Sequence, residues 1–158
     1  KHDAALTIEP ISDRRITNIP LQSRQLVMVV RRDDPLAQQP EICYQDLCQR
    51  RLMICLDSCG YQFVNRLFQD YAVKPNSIQR VSQLSNFFCV CSNNGYWGLT
   101  ADYSAGKILS LYPDLVAKPL EGHPSPYVVT LAYHTNSEKL KILNDFVQWV
   151  KDLMLDRN

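Results

Sequence analysis

The chain has 158 residues, 46% of them hydrophobic and 21% charged, with a formal net charge of +1. Such a composition belongs to a globular protein, and the length suits one ordinary domain or two small lobes sharing strands. Two roles are excluded at once: no run of about 18 apolar residues is present to cross a bilayer, and a near-neutral charge lacks the basic footprint by which a protein holds duplex DNA.

In chain order, residues 4–8 read as a strand closed by a polar turn at Pro10, followed by strands near 16–21 and 24–31. Within the last of these, Leu26-Val27-Met28-Val29-Val30 is an unbroken apolar run, which predicts a strand covered on both faces. It runs into the charged turn Arg31-Arg32-Asp33-Asp34 and then Pro35-Leu36-Ala37. A helical turn at 44–49 leads into a strand at 52–56. A helix follows over about 61–72, with Val64, Leu67, Phe68 and Tyr71 on one face, and Lys74-Pro75-Asn76 ends it.

Next come a strand at 78–81 and a helix at 84–93, capped by Ser82 or Ser85. Asn93-Asn94-Gly95 closes that helix through left-handed backbone, and Tyr96-Trp97-Gly98-Leu99 is a buried strand. Strands near 115–120 and 127–133 flank Glu121-Gly122-His123-Pro124-Ser125-Pro126, which continues neither sheet nor helix. A helix over 137–154 closes the chain. Its cap is Asn136 or Ser137, and its apolar stripe is Leu140, Leu143, Val147, Val150 and Met154. Strands alternating with helices predict a parallel-rich α/β sheet. The segments 22–31 and 119–128 read as crossings between lobes. Residues 1–24 and 125–158 then form one lobe and 25–124 the other, with a ligand cleft between them.

Six cysteines stand at 43, 48, 55, 59, 89 and 91. Cys55 lies in an apolar strand, and Cys89 and Cys91 lie in an apolar helix, where the residue behaves as a small hydrophobe. We read them as reduced core or near-surface thiols in a cytoplasm. Irregular spacing, with no His nearby, gives no zinc site. Nothing in the spacing brings Cys59 against His123 or His134, so no catalytic residue and no cofactor is assigned. Cys59 at a helix start is expected to have a lowered thiol pKa. The arginine pairs Arg14-Arg15, Arg31-Arg32 and Arg50-Arg51 read as solvated surface.

Asp57-Ser58-Cys59-Gly60 lies between a strand end and a helix start, where free backbone N–H groups and the helix dipole favour an anion. Simple N-capping by Asp57 or Ser58 is the plainer role, and one residue can do both. Ser82-Gln83-Leu84-Ser85-Asn86, at the next helix start, is a second candidate, with Ser85 its representative.

Several stretches resemble the effector-binding domain of LysR-type transcriptional regulators. His2-Asp3-Ala4-Ala5-Leu6 is similar to that family's Asp-Leu-Ala-Ile strand. Leu21 with Gln25-Leu26-Val27-Met28-Val29-Val30 resembles its first hinge crossing, and Asp34-Pro35-Leu36-Ala37 its His-Pro-Leu-Ala. Asp46-Leu47 before Leu52-Met53-Ile54 resembles the opening of its second lobe. The stretch from Val90 to Leu99 resembles Val-Ala-Ala-Gly-Leu-Gly-Ile, with Asn93 for the first Gly, tolerable because Asn also visits positive φ. Thr100 stands where the family usually has Pro.

The resemblance implies an α/β, type 2 periplasmic-binding-protein-like fold: two Rossmann-like lobes joined by two crossing strands, the first lobe incomplete because the family's domain begins earlier. It implies ligand contacts near Asn94, Gly95 and Tyr96, although Tyr96 and Trp97 also suit a core, Trp97 especially. The implied role is effector sensing and oligomerisation, with a small, anionic effector, a homo-oligomer (dimer or tetramer) docking through the helix at 61–72, and DNA reached only through a domain outside this chain. Phe146, Trp149 and Leu153 are then expected to be exposed unless another chain covers them. A solute-binding receptor of a transport system is the alternative on the same fold.

Overall fold

The computed structural model describes residues 4–8, 11–124, 127–136 and 140–155. Its first strands are β1 (Ala4–Ile8), β2 (Ile16–Arg24), β3 (Leu26–Arg31) and β4 (Arg51–Cys55), followed by α1 (Ser58–Asp70) and β5 (Ser77–Arg80). Then come α2 (Leu84–Asn93), β6 (Trp97–Ala101), α3 (Asp102–Ile108), β7 (Leu115–Pro119), β8 (Tyr127–His134) and α4 (Leu140–Leu155). Short 3-10 turns occupy Pro35–Gln38, Tyr44–Leu47 and Leu109–Leu111. The chain divides into two units, Lys1–Arg24 with Tyr127–Asn158, and Gln25–Pro126.

The larger unit is a five-stranded sheet in the order β5-β4-β6-β3-β7. Strands β5, β4 and β6 run parallel, whereas β3 is antiparallel to both β6 and β7. The sheet is therefore mixed rather than parallel-rich. A chain that returns to the edge where it entered needs one strand out and one back, and β3 and β7 are that pair.

Period-two alternation divides the core. Leu26, Met28 and Val30 of β3 and Leu52 and Ile54 of β4 join one buried cluster with Val64 and Phe68 of α1. Val29, Met53 and Cys55 point the other way, onto Phe87, Phe88 and Cys91 of α2 and Ala105 of α3. The run at 26–30 is covered on both faces, and each such side chain contributes about 1.5–3 kcal/mol by burial. Gly98 lets α2 lie directly on β6: a Cβ there would come 2.8 Å from Cys91 Sγ and closer still to the Phe87 ring. Buried Thr100 donates to Cys55 O at 2.9 Å, tying β6 to β4.

Several predicted boundaries move. The helix at 61–72 starts at Ser58, because Asp57 caps it, and ends before Lys74-Pro75-Asn76, since Ala72 already turns left-handed at φ 51. Neither Ser82 nor Ser85 caps α2; Gln83 holds the cap position without a side-chain bond. Asn93 stays helical, and the left-handed turn falls on Gly95 at φ 63. The outgoing segment 22–31 is not one strand: β2 ends at Arg24 in one sheet and β3 begins at Leu26 in the other. Helix α3, following β6 without a loop, was not foreseen.

The smaller unit holds an antiparallel sheet, β1-β8-β2. The register of edge strand β2 slips between Pro20 and Gln22, where proline has no N–H for the ladder. Leu131 and Tyr133 pack on Leu143 and Val147 of α4. Val150 is half-buried, Asn136 is an exposed turn residue, the side chains of Leu140 and Met154 and the other cap candidate, Ser137, lie outside the described residues, and Phe146, Trp149 and Leu153 are exposed.

Both outer strands of the larger sheet are short. Every residue of β5 is exposed. Beside β7, Ile42 N–H donates to Pro119 O and Glu121 N–H to Ile42 O, both at 2.9 Å.

Candidate functional site

Three parallel strands finish at one edge of the larger sheet. There β4 passes through Asp57 into α1, β5 through Ser82 and Gln83 into α2, and β6 directly into α3. Gln25 O accepts from Asp102 N–H at 2.9 Å and Pro124 O from Leu26 N–H at 3.3 Å, so the chain enters and leaves the unit at this edge too. In open α/β sheets, ligands bind outside the carboxyl ends of strands.

The two helix starts at this edge differ. Asp57 Oδ1 accepts from Gly60 N–H at 2.7 Å and Asp57 O from Tyr61 N–H at 2.9 Å. Asp57 thus performs the capping, while Ser58 is an exposed first helical residue and Gly60 is buried. The Cys59 side chain, and with it the expected lowered thiol pKa, falls outside the described residues. At α2 no side chain caps the helix; Gln83 Oε1 instead accepts from Asn86 Nδ2 at 3.2 Å, and Ser85 stands exposed on the first turn. The α2 start is therefore the more open of the two to an anion.

Arg80, the last residue of β5, supplies a cation here, its guanidinium 3.9 Å over the Tyr61 ring in the first turns of α1. Sequence reasoning passed over it by attending only to paired arginines. The signal was its place, a lone charge on a strand's last residue just ahead of a helix start.

Asn94, Gly95 and Tyr96 lie elsewhere. They precede β6, whose Trp97 pairs with Leu52 at the start of β4, whereas Thr100 pairs with Cys55 at its end. At about 3.3 Å per residue the two groups are separated by the length of the strands, about 15 Å. The eight residues proposed from sequence do not make one site, because α2 carries the chain back to the edge where β4 begins.

At this second edge the arginines are not simply solvated. Arg51 donates to Asn94 O at 2.8 Å and lies 4.6 Å over the Tyr96 ring, and Arg50 lies 4.5 Å over that of Trp97. Arg31 bonds Asp33 at 2.9 and 2.7 Å and Ser92 O at 2.8 Å. Arg32 reaches Pro113 O and Leu115 O, and in the smaller unit Arg15 grips Asp13. Trp97 is buried, as its core reading required, with its Nε1–H on Asp34 Oδ2 at 3.1 Å.

The five described cysteines are free thiols. Burial, with Cys55 nearby, pushes the Cys91 thiol up to about 12, and burial raises Cys55 as well. Cys43 is also raised, by partial burial and by Glu121, Asp46 and Glu41. Cys89, on the outer side of α2, is exposed, whereas Cys91 and Cys55 are buried. His123 Nε2 is 3.8 Å from Glu41 Oε2. Among the described residues no cluster of His, Cys, Asp and Glu could hold a metal ion, and no helix is long and apolar enough to cross a membrane.

No curated protein matches the chain. Among solved structures, the regulatory domain of MetR, a LysR family regulator from N. meningitidis, is 14% identical, with a TM-score of 0.78 over 95% of this chain and 69% of that one. The Synechocystis PCC6803 CcmR regulatory domain in complex with 2-PG is 16% identical, with a TM-score of 0.76 over 96% and 73%. The effector binding domain of QuiR in complex with shikimate is 21% identical, with a TM-score of 0.72 over 95% and 72%. These likenesses establish the type 2 periplasmic-binding-protein-like fold. The family model of the LysR substrate binding domain matches residues 1–155, and the chain belongs to that family.

Proposed function

We propose that this chain is the effector-sensing and oligomerisation domain of a bacterial LysR-type transcriptional regulator. A small anion binds where β4, β5 and β6 end, held by the first turns of α1 (Asp57, Ser58, Cys59, Gly60) and α2 (Ser85) with Arg80 as counter-charge. The observation that carries this reading is the uncapped start of α2, reached just after Arg80, whose guanidinium lies over Tyr61 in the first turns of α1. Two of the similar domains were solved with small molecules, 2-PG and shikimate.

The chain enters and leaves the larger unit at this edge. Such a ligand shifts a conformational equilibrium only by its difference in affinity for the alternatives. The regulator acts in the cytoplasm and reaches promoter DNA through a region outside this chain. A second copy docks on the outer face of α1, beside a shallow groove of about 550 Å³ lined by Asn65, Phe68, Ala72, Val73 and Ile78.

A ligand that binds only the folded state raises its stability. In a thermal-shift screen of small carboxylates and phosphorylated acids, at least one compound is expected to raise the melting temperature, and Arg80→Gln is expected to abolish that rise. A rise that survives Arg80→Gln, or the absence of any rise across the screen, refutes the placement.

A further inference from the structure

At the opposite edge of the same sheet lies a separate cavity of about 250 Å³, bounded by Arg31, Asp33, Asp34, Arg50, Tyr96 and Trp97. Arg31 and Asp33 face each other in a bidentate pair, and the third Arg31 contact is Ser92 O. That pair forms a neutral wall. The remaining charges are Asp34 and Arg50, both disposed about one indole. Asp34 accepts at Oδ2 from Trp97 Nε1–H at 3.1 Å and at Oδ1 from Leu36 N–H at 3.0 Å. A carboxylate offers about four acceptor positions, so lone pairs remain. Arg50 stacks on the Trp97 ring, and its guanidinium makes no hydrogen bond or ion pair among the described residues.

A simple anion entering this cavity meets Arg50 but also two carboxylates, and a simple cation meets Asp34 but also two guanidinium groups. A molecule carrying both charges a few bonds apart satisfies both. We propose that the cavity is a second small-molecule site for a zwitterionic α-amino acid. Its carboxylate lies against the open Arg50 donors, its ammonium against Asp34, and its side chain along Tyr96 and Trp97. The volume lies just under the range of drug-sized pockets, which suits a single amino acid better than a nucleotide. This site is independent of the reading of the other edge.

Trp97 is itself the reporter once Trp149, which is exposed, is replaced by Phe. With the Trp149→Phe chain, L-alanine and L-serine are expected to change Trp97 fluorescence saturably, with a Kd at least tenfold below those of acetate and methylammonium. Arg50→Gln and Asp34→Asn, each in that background, are expected to weaken the amino acids at least tenfold; Asn keeps a carbonyl for the Trp97 N–H. Should Asp34→Asn prove unfolded by circular dichroism, Arg50→Gln, altered at an exposed side chain, decides alone. No saturable signal, parity between acetate and alanine, or an Arg50→Gln chain that binds unchanged each overturns the proposal.

Discussion

The two edges of the five-stranded sheet use the same strands yet differ in how their polar groups are engaged. Where β4, β5 and β6 end, helix starts leave backbone amides facing outward, and α2 has no capping side chain. Where β4 and β6 begin, arginines are held on rings, carboxylates and carbonyl oxygens. The difference follows from topology, since parallel strands followed by helices gather helix N-termini at one edge only. Open amides suit an anion of variable shape. The second edge, already close to neutral, selects for a paired charge.

The largest expected effect comes from breaking what both edges share. Gly98→Ala drives a methyl into Phe87 and Cys91, forcing α2 off β6, and should cost about 3 kcal/mol in urea unfolding. A loss under about 0.5 kcal/mol, within the range of ordinary surface changes, would show that α2 retreats freely and that the edges are not mechanically joined. Next is Thr100→Val, which leaves Cys55 O without its buried hydroxyl partner and should cost about 1–3 kcal/mol.

The capped and uncapped helix starts are separated by a smaller pair of changes. Asp57→Ala should lose about 1 kcal/mol. Gln83→Ala should leave stability within about 0.5 kcal/mol, as for a surface residue without a capping bond. Equal losses would erase the distinction between α1 and α2.

The least effect concerns Cys91. Its thiol is raised from 9.0 to about 12 by burial, so above pH 9 the unfolded chain releases this proton before the native one does. Stability therefore falls as pH rises from 9 toward 12, by under about 1 kcal/mol at pH 9.5. Cys91→Ala should flatten that decline. At pH 8 a thiol reagent should label exposed Cys89 well before Cys91 or Cys55.

Much of the architecture was legible because apolar periods are written locally. The run at 26–30 named a strand covered on both faces, and Val64 and Phe68 named the inward face of α1. Helix α3 escaped notice because its seven residues are too few to show a helical period and no turn residue separates it from β6. Strand direction escaped for a different reason: apolar content tells that β3 is buried, not that it runs against both β6 and β7. The candidate site suffered from the same gap. Asp57, Ser85 and Gly95 each stand beside a helix terminus, and only the pairing of Trp97 with Leu52 reveals that Gly95 belongs to the far edge. Arg80 drew no notice because its value comes from Tyr61, far off in sequence but beneath it in the fold.

The outermost strands of the large sheet bear on how this protein behaves when crowded. A bare strand margin invites pairing with a neighbouring molecule and, from there, fibril growth. Here one margin is only four residues long, with polar or charged Ser77, Gln79 and Arg80. The other carries Lys118 and Pro119 and is shielded by the backbone of Ile42 and Glu121. Self-association of this unit is thereby steered away from strand-to-strand templating and toward its helices, which favours assemblies of defined size over open-ended aggregates.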